Sequence, residues 1–117
     1  MIINAKILDA DICIGEHNRL TFKLCIKSKN FSTVIGDYCL DDEVNGKRRS
    51  TPYSATLIRD ILEVVGVTSW KELIGRYIRI DDREGLNLPI LKIGNIIEDK
   101  WLDIETHILQ SIGDDGV

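Results

Sequence analysis

Leu20-Thr21-Phe22-Lys23-Leu24-Cys25-Ile26-Lys27 decides the fold class. Leu20, Phe22, Leu24 and Ile26 alternate with Thr21, Lys23, Cys25 and Lys27, a period of two that turns one side to a core and the other to water. This is a half-buried strand, and its neighbours make it part of a meander. Upstream, Ile3 to Ile14 is apolar and strand-like, with Asp9 and Asp11 marking a bend or bulge midway. Gly15-Glu16-His17-Asn18 separates the two runs as a hairpin turn, since Gly and Asn tolerate positive φ. Downstream, Ser28-Lys29-Asn30 turns the chain into a third strand from Phe31 to Ile35.

Working outward, residues 36–53 turn polar: Asp37, Asp41, Asp42, Glu43, Asn45, Lys47, Arg48 and Arg49 sit among Gly36, Gly46 and Pro52. They read as one long connection, and a connection of that length is a place to look for a site. A helix follows from Pro52 or Ser54 to Val65, its apolar face made by Leu57, Ile58, Ile61, Leu62 and Val65. Thr51 is the expected cap, Pro52 the first helical residue and Gly66 the left-handed terminator. Ser69-Trp70-Lys71-Glu72 reads as a capping box for a short second helix ending at Gly75, with Trp70 as a core anchor. Tyr77 to Asp81 is a fourth strand, a polar loop follows to Asn87, and a last strand starts at Pro89 and runs through Ile97. Asp103 caps a final helix carrying Ile104, Ile108 and Ile112. The expectation is an α+β fold: about five mostly antiparallel strands, as an open sheet or small barrel, with two to three helices. A single domain covers residues 1–113, and an acidic tail at 114–117 frays.

With 117 residues, 44% of them hydrophobic and 29% charged, the chain suits one globular domain and is too apolar for disorder. The net charge of −4, from 15 Lys and Arg against 19 Asp and Glu, opposes wholesale coating of nucleic acid. The charge is unevenly placed. Residues 1–100 hold all 15 basic residues and 15 of the 19 acidic ones, so they sum to zero. Asp103, Glu105, Asp114 and Asp115 supply the whole deficit. A neutral body leaves room for a local basic site, while the C-terminal segment is the natural acidic face for a protein partner. No apolar run approaches the roughly 20 residues that span a bilayer, and Met1-Ile2-Ile3-Asn4-Ala5-Lys6 lacks the pattern of a secretory signal. Cys13, Cys25 and Cys39 form no Cys-x-x-Cys and read as reduced, mostly buried thiols. A cytoplasmic protein with no membrane contact is expected.

Catalytic groups are few. His17 falls in a turn and His107 on the last helix, without the neighbours of a triad, and no phosphate loop or zinc-binding pair of histidines occurs. Asp41-Asp42-Glu43 with Asn45 lacks the spacing of a calcium loop. The chain is therefore expected to be no enzyme and to need neither cofactor nor metal. Lys47-Arg48-Arg49, followed by Ser50, Thr51 and a helix start, fits an anion site, because a helix N-terminus and bidentate arginines both suit phosphate. Local ion pairing with the preceding acidic run is the alternative. Arg59, Arg76, Arg79 and Arg83 add basic groups, and on a strand Tyr77 and Arg79 share one face, a surface for stacking a nucleotide or simply an exposed sheet face. Trp101 is either a core plug or an aromatic platform at a ligand or subunit contact.

Ile58-Arg59-Asp60-Ile61-Leu62-Glu63-Val64-Val65-Gly66-Val67-Thr68-Ser69-Trp70-Lys71-Glu72-Leu73-Ile74-Gly75-Arg76-Tyr77-Ile78-Arg79 resembles a block in a family of small phage and prophage proteins. Ile93-Gly94-Asn95-Ile96-Ile97-Glu98-Asp99-Lys100-Trp101 resembles that family's second block. Weaker matches are Gly15-Glu16-His17 ahead of Leu20-Thr21, and Gly36-Asp37-Tyr38-Cys39-Leu40-Asp41. Where family members carry a glycine- and aromatic-rich stretch, this chain has Thr33-Val34-Ile35-Gly36-Asp37, so no ligand contact is carried over to that stretch. Some small phage proteins of this kind are similar to the Thoeris anti-defence sponges, oligomers that hold cyclic ADP-ribose-type signals away from effectors. The resemblance implies a non-enzymatic counter-defence protein of the host cytoplasm that sequesters a small phosphorylated nucleotide. The expected ligand contacts are Tyr38, Lys47, Arg48, Arg49, Thr51, Arg59, Tyr77, Arg79 and Trp101, in a homo-oligomer. Two alternatives stand beside it: an inhibitor that binds a host defence protein, such as an anti-CRISPR protein, and an accessory single-strand nucleic-acid binder of phage replication.

Overall fold

Strand β1, Ile2–Ile14, organises the molecule by serving two neighbours in turn. This computed structural model describes residues 2–81, 90 and 92–104. Lys6 to Ile14 pair with β2 (Leu20–Lys27), and Ile2 to Lys6 pair with β6 (Tyr77–Asp81), both antiparallel. The expected irregularity midway along β1 is a register shift between Ile7 and Asp9 that leaves Leu8 as the extra residue. A bulge of this kind bends a strand and re-aims its side chains, and here it falls just beyond the point where β1 changes partners. Strand β3 (Ser32–Cys39) lies beyond β2, while β7 (Lys92–Asn95) and β8 (Trp101–Asp103) lie beyond β6. The six strands run β3-β2-β1-β6-β7-β8 in one sheet, with every pairing antiparallel.

One side of the sheet is dry. Ala5 and Ile7, Phe22, Leu24 and Ile26, Ile35, Ile78 and Ile80, Ile93 and Leu102 are buried there. They share a core with Leu57, Ile61 and Val64 of α1 (Ser54–Val65); Leu57 and Ile61 belong to the stripe read from the sequence, whose Ile58, Leu62 and Val65 are partly buried, while Val64 was not expected in it. Gly66 ends α1 in the left-handed conformation (φ 91°), and its N–H donates to the carbonyl of Leu62 at 2.9 Å. Trp70 is the anchor expected of it, partly buried with its ring edge-on to Phe22 at 6.3 Å.

Several expectations need correcting. The polar stretch 36–53 is not one open connection. Cys39 closes β3, and a separate hairpin of β4 (Asp41–Val44) and β5 (Lys47–Ser50) follows. Strand propensity does not build this hairpin. Asn45 (φ 53°) and Gly46 (φ 80°) make the two-residue turn, and opposite charges face each other across it as Asp42 with Arg49 and Glu43 with Arg48. Thr51 does not cap α1; its carbonyl instead accepts from the Ser54 amide (3.3 Å) and hydroxyl (3.0 Å). The second helix is a short 3-10 turn, Trp70–Leu73. Its hydroxyls Thr68 and Ser69 donate to Glu72 at 3.1 and 2.9 Å, which satisfies the side chain without the backbone half of a capping box. Among the described residues the main sheet has six strands where about five were expected, and the hairpin adds two. Among the described residues there is a single α-helix where two to three helices were expected. Cys25 and Cys13 are only half buried and Cys39 is exposed, because alternation puts Cys25 on the wet side and Cys39 lies on the edge strand β3. Most of the final helix, with Ile108 and Ile112, and the tail lie outside the described residues. Among the described residues no helix is long and apolar enough to cross a membrane.

Candidate functional site

The wet side of the sheet carries the groups of interest, and the register sorts them into rows. Lys27 of β2 is opposite Lys6 of β1, and Lys6 is opposite Tyr77 of β6. In the next row Asn4 is opposite Arg79, Arg79 opposite Gly94, and Gly94 opposite Trp101. Facing residues on antiparallel strands have Cβ atoms roughly 5 Å apart, so each row is a line of contacting side chains.

The first row is electrostatically unfavourable on its own. Two lysines directly opposite each other repel. Lys6 Nζ lies 5.8 Å from the centroid of the Tyr77 ring, and Tyr77 is 54% exposed. Lys29 adds a third ammonium from the following turn. Ser28, buried beneath it, fixes that turn: its hydroxyl accepts from the amides of Asn30 (3.3 Å) and Phe31 (3.2 Å) and donates to the Phe31 carbonyl (3.2 Å). A pocket of about 240 Å³ opens between Lys6, Lys27, Lys29, Asn4, Leu8 and Tyr77, and no carboxylate is among its described lining residues.

The second row is an organised stack. The Trp101 ring lies across Gly94 so closely that a Cβ there would sit 2.8–2.9 Å from ring atoms. Arg79 places its guanidinium 4.9 Å from the ring centroid, within cation–π range. Its Nε donates to the carbonyl of Asn95 at 2.6 Å and its Nη2 to that of Glu98 at 2.7 Å. Arg79 therefore spends its donors on the 95–100 turn and holds Trp101 in place. Trp101 is 37% exposed on the wet side and is no core plug.

No protein-family model, no curated protein and no solved structure matches the chain. The geometry alone has to carry the functional reading.

The other expected contacts lie elsewhere. Tyr38, at the end of β3, is half buried with its ring 6.0 Å from that of Phe22. Lys47, Arg48 and Arg49 lie on β5. Arg48 donates to the Asp41 carboxylate, so the ion-pairing alternative describes it. The amide of Thr51 donates to the Leu40 carbonyl at 3.0 Å, and Arg59 is an exposed helix residue paired with Glu63 at 3.3 Å. The structure joins Tyr77, Arg79 and Trp101 and leaves these six outside that face. It adds Lys6, Lys27 and Lys29, which sequence reasoning missed. Alternation already put Lys27 on the wet side, but only the strand register brings Lys6 opposite it.

The Asp41–Arg48 pair has a pH consequence. The guanidinium of Arg48 beside Asp41, with the Leu20 amide donating at 3.1 Å, holds the Asp41 carboxyl below the usual carboxylate range. Because the folded value is depressed, the stabilisation is fully present above the unfolded value near 3.9 and is lost as pH falls through the folded one. Acid unfolding of Asp41→Asn should therefore lack part of the wild-type stability loss below about pH 4. Identical acid titrations of the two proteins would contradict this.

Proposed function

We propose that this chain is a non-catalytic nucleotide-binding protein whose phosphate site is the lysine row and whose base platform begins at Tyr77. The observation that carries the reading is the direct opposition of Lys6 and Lys27 around a pocket with no carboxylate among its described lining residues. A phosphate between the two ammonium groups turns their mutual repulsion into two charge-assisted contacts. The Tyr77 ring offers the adjoining apolar face that a base needs. Binding of this kind suffices for sequestration, and in the fuller reading a small phosphorylated signal, a cyclic nucleotide or a cyclic ADP-ribose isomer, is held away from its effector in the host cytoplasm.

Single-strand nucleic-acid binding is a second reading, and one observation favours it. A long bulged first strand shared between two neighbours, a meander, a helix after the third strand and a returning hairpin follow the connectivity of an OB barrel left open. This is a fold-level analogy and ranks below the site itself. For an inhibitor acting through an acidic face, Glu105, Asp114 and Asp115 lie outside the described residues.

Calorimetric titration with AMP, cyclic AMP and cyclic ADP-ribose tests the proposal. At least one of them should bind, with affinity falling from about 50 to about 200 mM salt as expected for ammonium–phosphate contacts. Lys27→Gln and Lys6→Gln should each weaken binding about tenfold or more, the scale of one charged hydrogen bond. No binding by any of the three, or equal binding by both variants, would sink the proposal.

A further inference from the structure

The two rows adjoin. Tyr77 and Arg79 are alternate residues of one strand, so roughly 7 Å separates the rows, and Trp101 lies two strands across from β6 at roughly 4.8 Å per strand. The Tyr77 and Trp101 backbones are thus on the order of 12 Å apart on one wet face. That is too far for two bases stacked on each other at about 3.4 Å, and it suits two splayed bases joined through one phosphate. Trp101 is also held ready. Gly94 supports it from below, Arg79 places its guanidinium over the ring, and a pocket of about 300 Å³ bounded by Ile2, Lys92, Asp81 and Asp103 opens beside it.

We infer that Trp101 is a second base subsite, so that the preferred ligand contains two nucleobases linked by a phosphodiester and carries a further phosphate for the lysines. The inference rests on the proposed phosphate site at Lys6 and Lys27. A single-base ligand engages only the lysine row and Tyr77. Because Lys6 and Lys27 lie on the far side of Tyr77 from Trp101, a dinucleotide keeps a terminal or second phosphate at the lysines, and its linking phosphate lies between the two rings as it reaches Trp101. The same chemistry occurs in a cyclic dinucleotide and in a single strand, and the probes separate those sources.

The test uses Trp70→Phe protein, which leaves Trp101 as the sole tryptophan, and titrates AMP, 5′-phosphorylated pApA, cyclic di-AMP and a 5′-phosphorylated eight-residue oligoadenylate. AMP should bind without much change in Trp101 fluorescence. pApA or cyclic di-AMP should bind about tenfold tighter and quench it, the scale of one base stacked on an aromatic ring. Preference for cyclic di-AMP over pApA points to the cyclic source, and affinity rising from pApA to the oligomer points to a strand. In protein that keeps Trp70, Trp101→Ala and Gly94→Ala, the latter displacing the ring, should both remove the tenfold gain and leave AMP binding unchanged. Trp101→Phe should restore most of the gain. Dinucleotides no tighter than AMP, or a Trp101→Ala variant that weakens AMP equally, would overturn the second subsite while leaving the lysine site standing. Failure of AMP itself to bind would count against the lysine site instead.

Discussion

Asn95→Leu should lower stability by about 3 kcal/mol, the cost of stranding a buried carbonyl together with loss of a turn. The Asn95 side chain is buried where β7 ends and is fully engaged. Its amide nitrogen donates to the Val64 carbonyl at 2.9 Å, tying the last turn of α1 to the sheet. Its oxygen accepts from the amides of Ile97 (2.9 Å) and Glu98 (2.8 Å), which shapes the turn that returns the chain to β8. Leucine keeps the volume and loses these bonds, along with a longer one to the Val65 carbonyl at 3.5 Å. The freed turn amides can find water, but the Val64 carbonyl stays under the helix. Asn95→Asp separates the two roles, because it keeps the acceptor and replaces the donor with a charge facing a carbonyl. Urea denaturation of both variants is the measurement; a loss below about 1 kcal/mol for Asn95→Leu would mean that the junction is not held this way. The carbonyl of Asn95 also accepts from Arg79, so loosening the turn should reduce the fluorescence anisotropy of Trp101.

Gly36→Ala should be at least as damaging, costing about 3 kcal/mol or more and lowering the melting temperature by roughly 12 °C. Gly36 lies in β3 at a φ of 123°, where an L side chain is strained. A Cβ there would come within 2.4 Å of the Phe22 carbonyl oxygen, a backbone atom of the neighbouring strand that cannot swing aside. The position coincides with the register shift between β2 and β3, where Phe22 faces Tyr38 and Lys23 faces Gly36. Gly46 provides the control. It also has positive φ but nothing stands within 4 Å of its Cβ direction, so Gly46→Asn should cost well under 1 kcal/mol. Similar melting temperatures for the two variants would contradict the close approach at Gly36.

What was legible in the residues was periodicity. The alternation of Leu20 to Lys27 gave β2, that of Tyr77 to Asp81 gave β6, and the stripe Leu57, Ile61 and Val65 marked the helix. Asp9 pointed to the bulge. Asn45-Gly46 is a strong hairpin signal, but the acidic and basic residues around it resemble a solvated loop, since cross-strand charge pairing leaves no hydrophobic pattern. The site was legible only in part. Tyr77 and Arg79 share a face by period alone. The side to which Trp101 turns depends on Gly94 on the adjoining strand, and the opposition of Lys6 to Lys27 depends on a register that the Leu8 bulge helps to set. Consecutive charges such as Lys47 to Arg49 are conspicuous in a sequence, whereas three lysines at positions 6, 27 and 29 are not.

A site that opposes like charges is less stable empty than it would be without them, and this gives the central claim a signature that a structural role for the lysines would not produce. The measurement is the melting temperature of Lys27→Gln beside the wild type, each with and without saturating AMP. Removing one ammonium should raise the stability of the free protein by about half a kcal/mol. The AMP-induced increase, about 2.7 kcal/mol for wild type at a hundredfold excess over its dissociation constant, should fall to about 1.4 kcal/mol or less in the variant at the same AMP concentration. A free variant that is less stable than wild type and yet keeps the full AMP-induced increase would contradict the phosphate site.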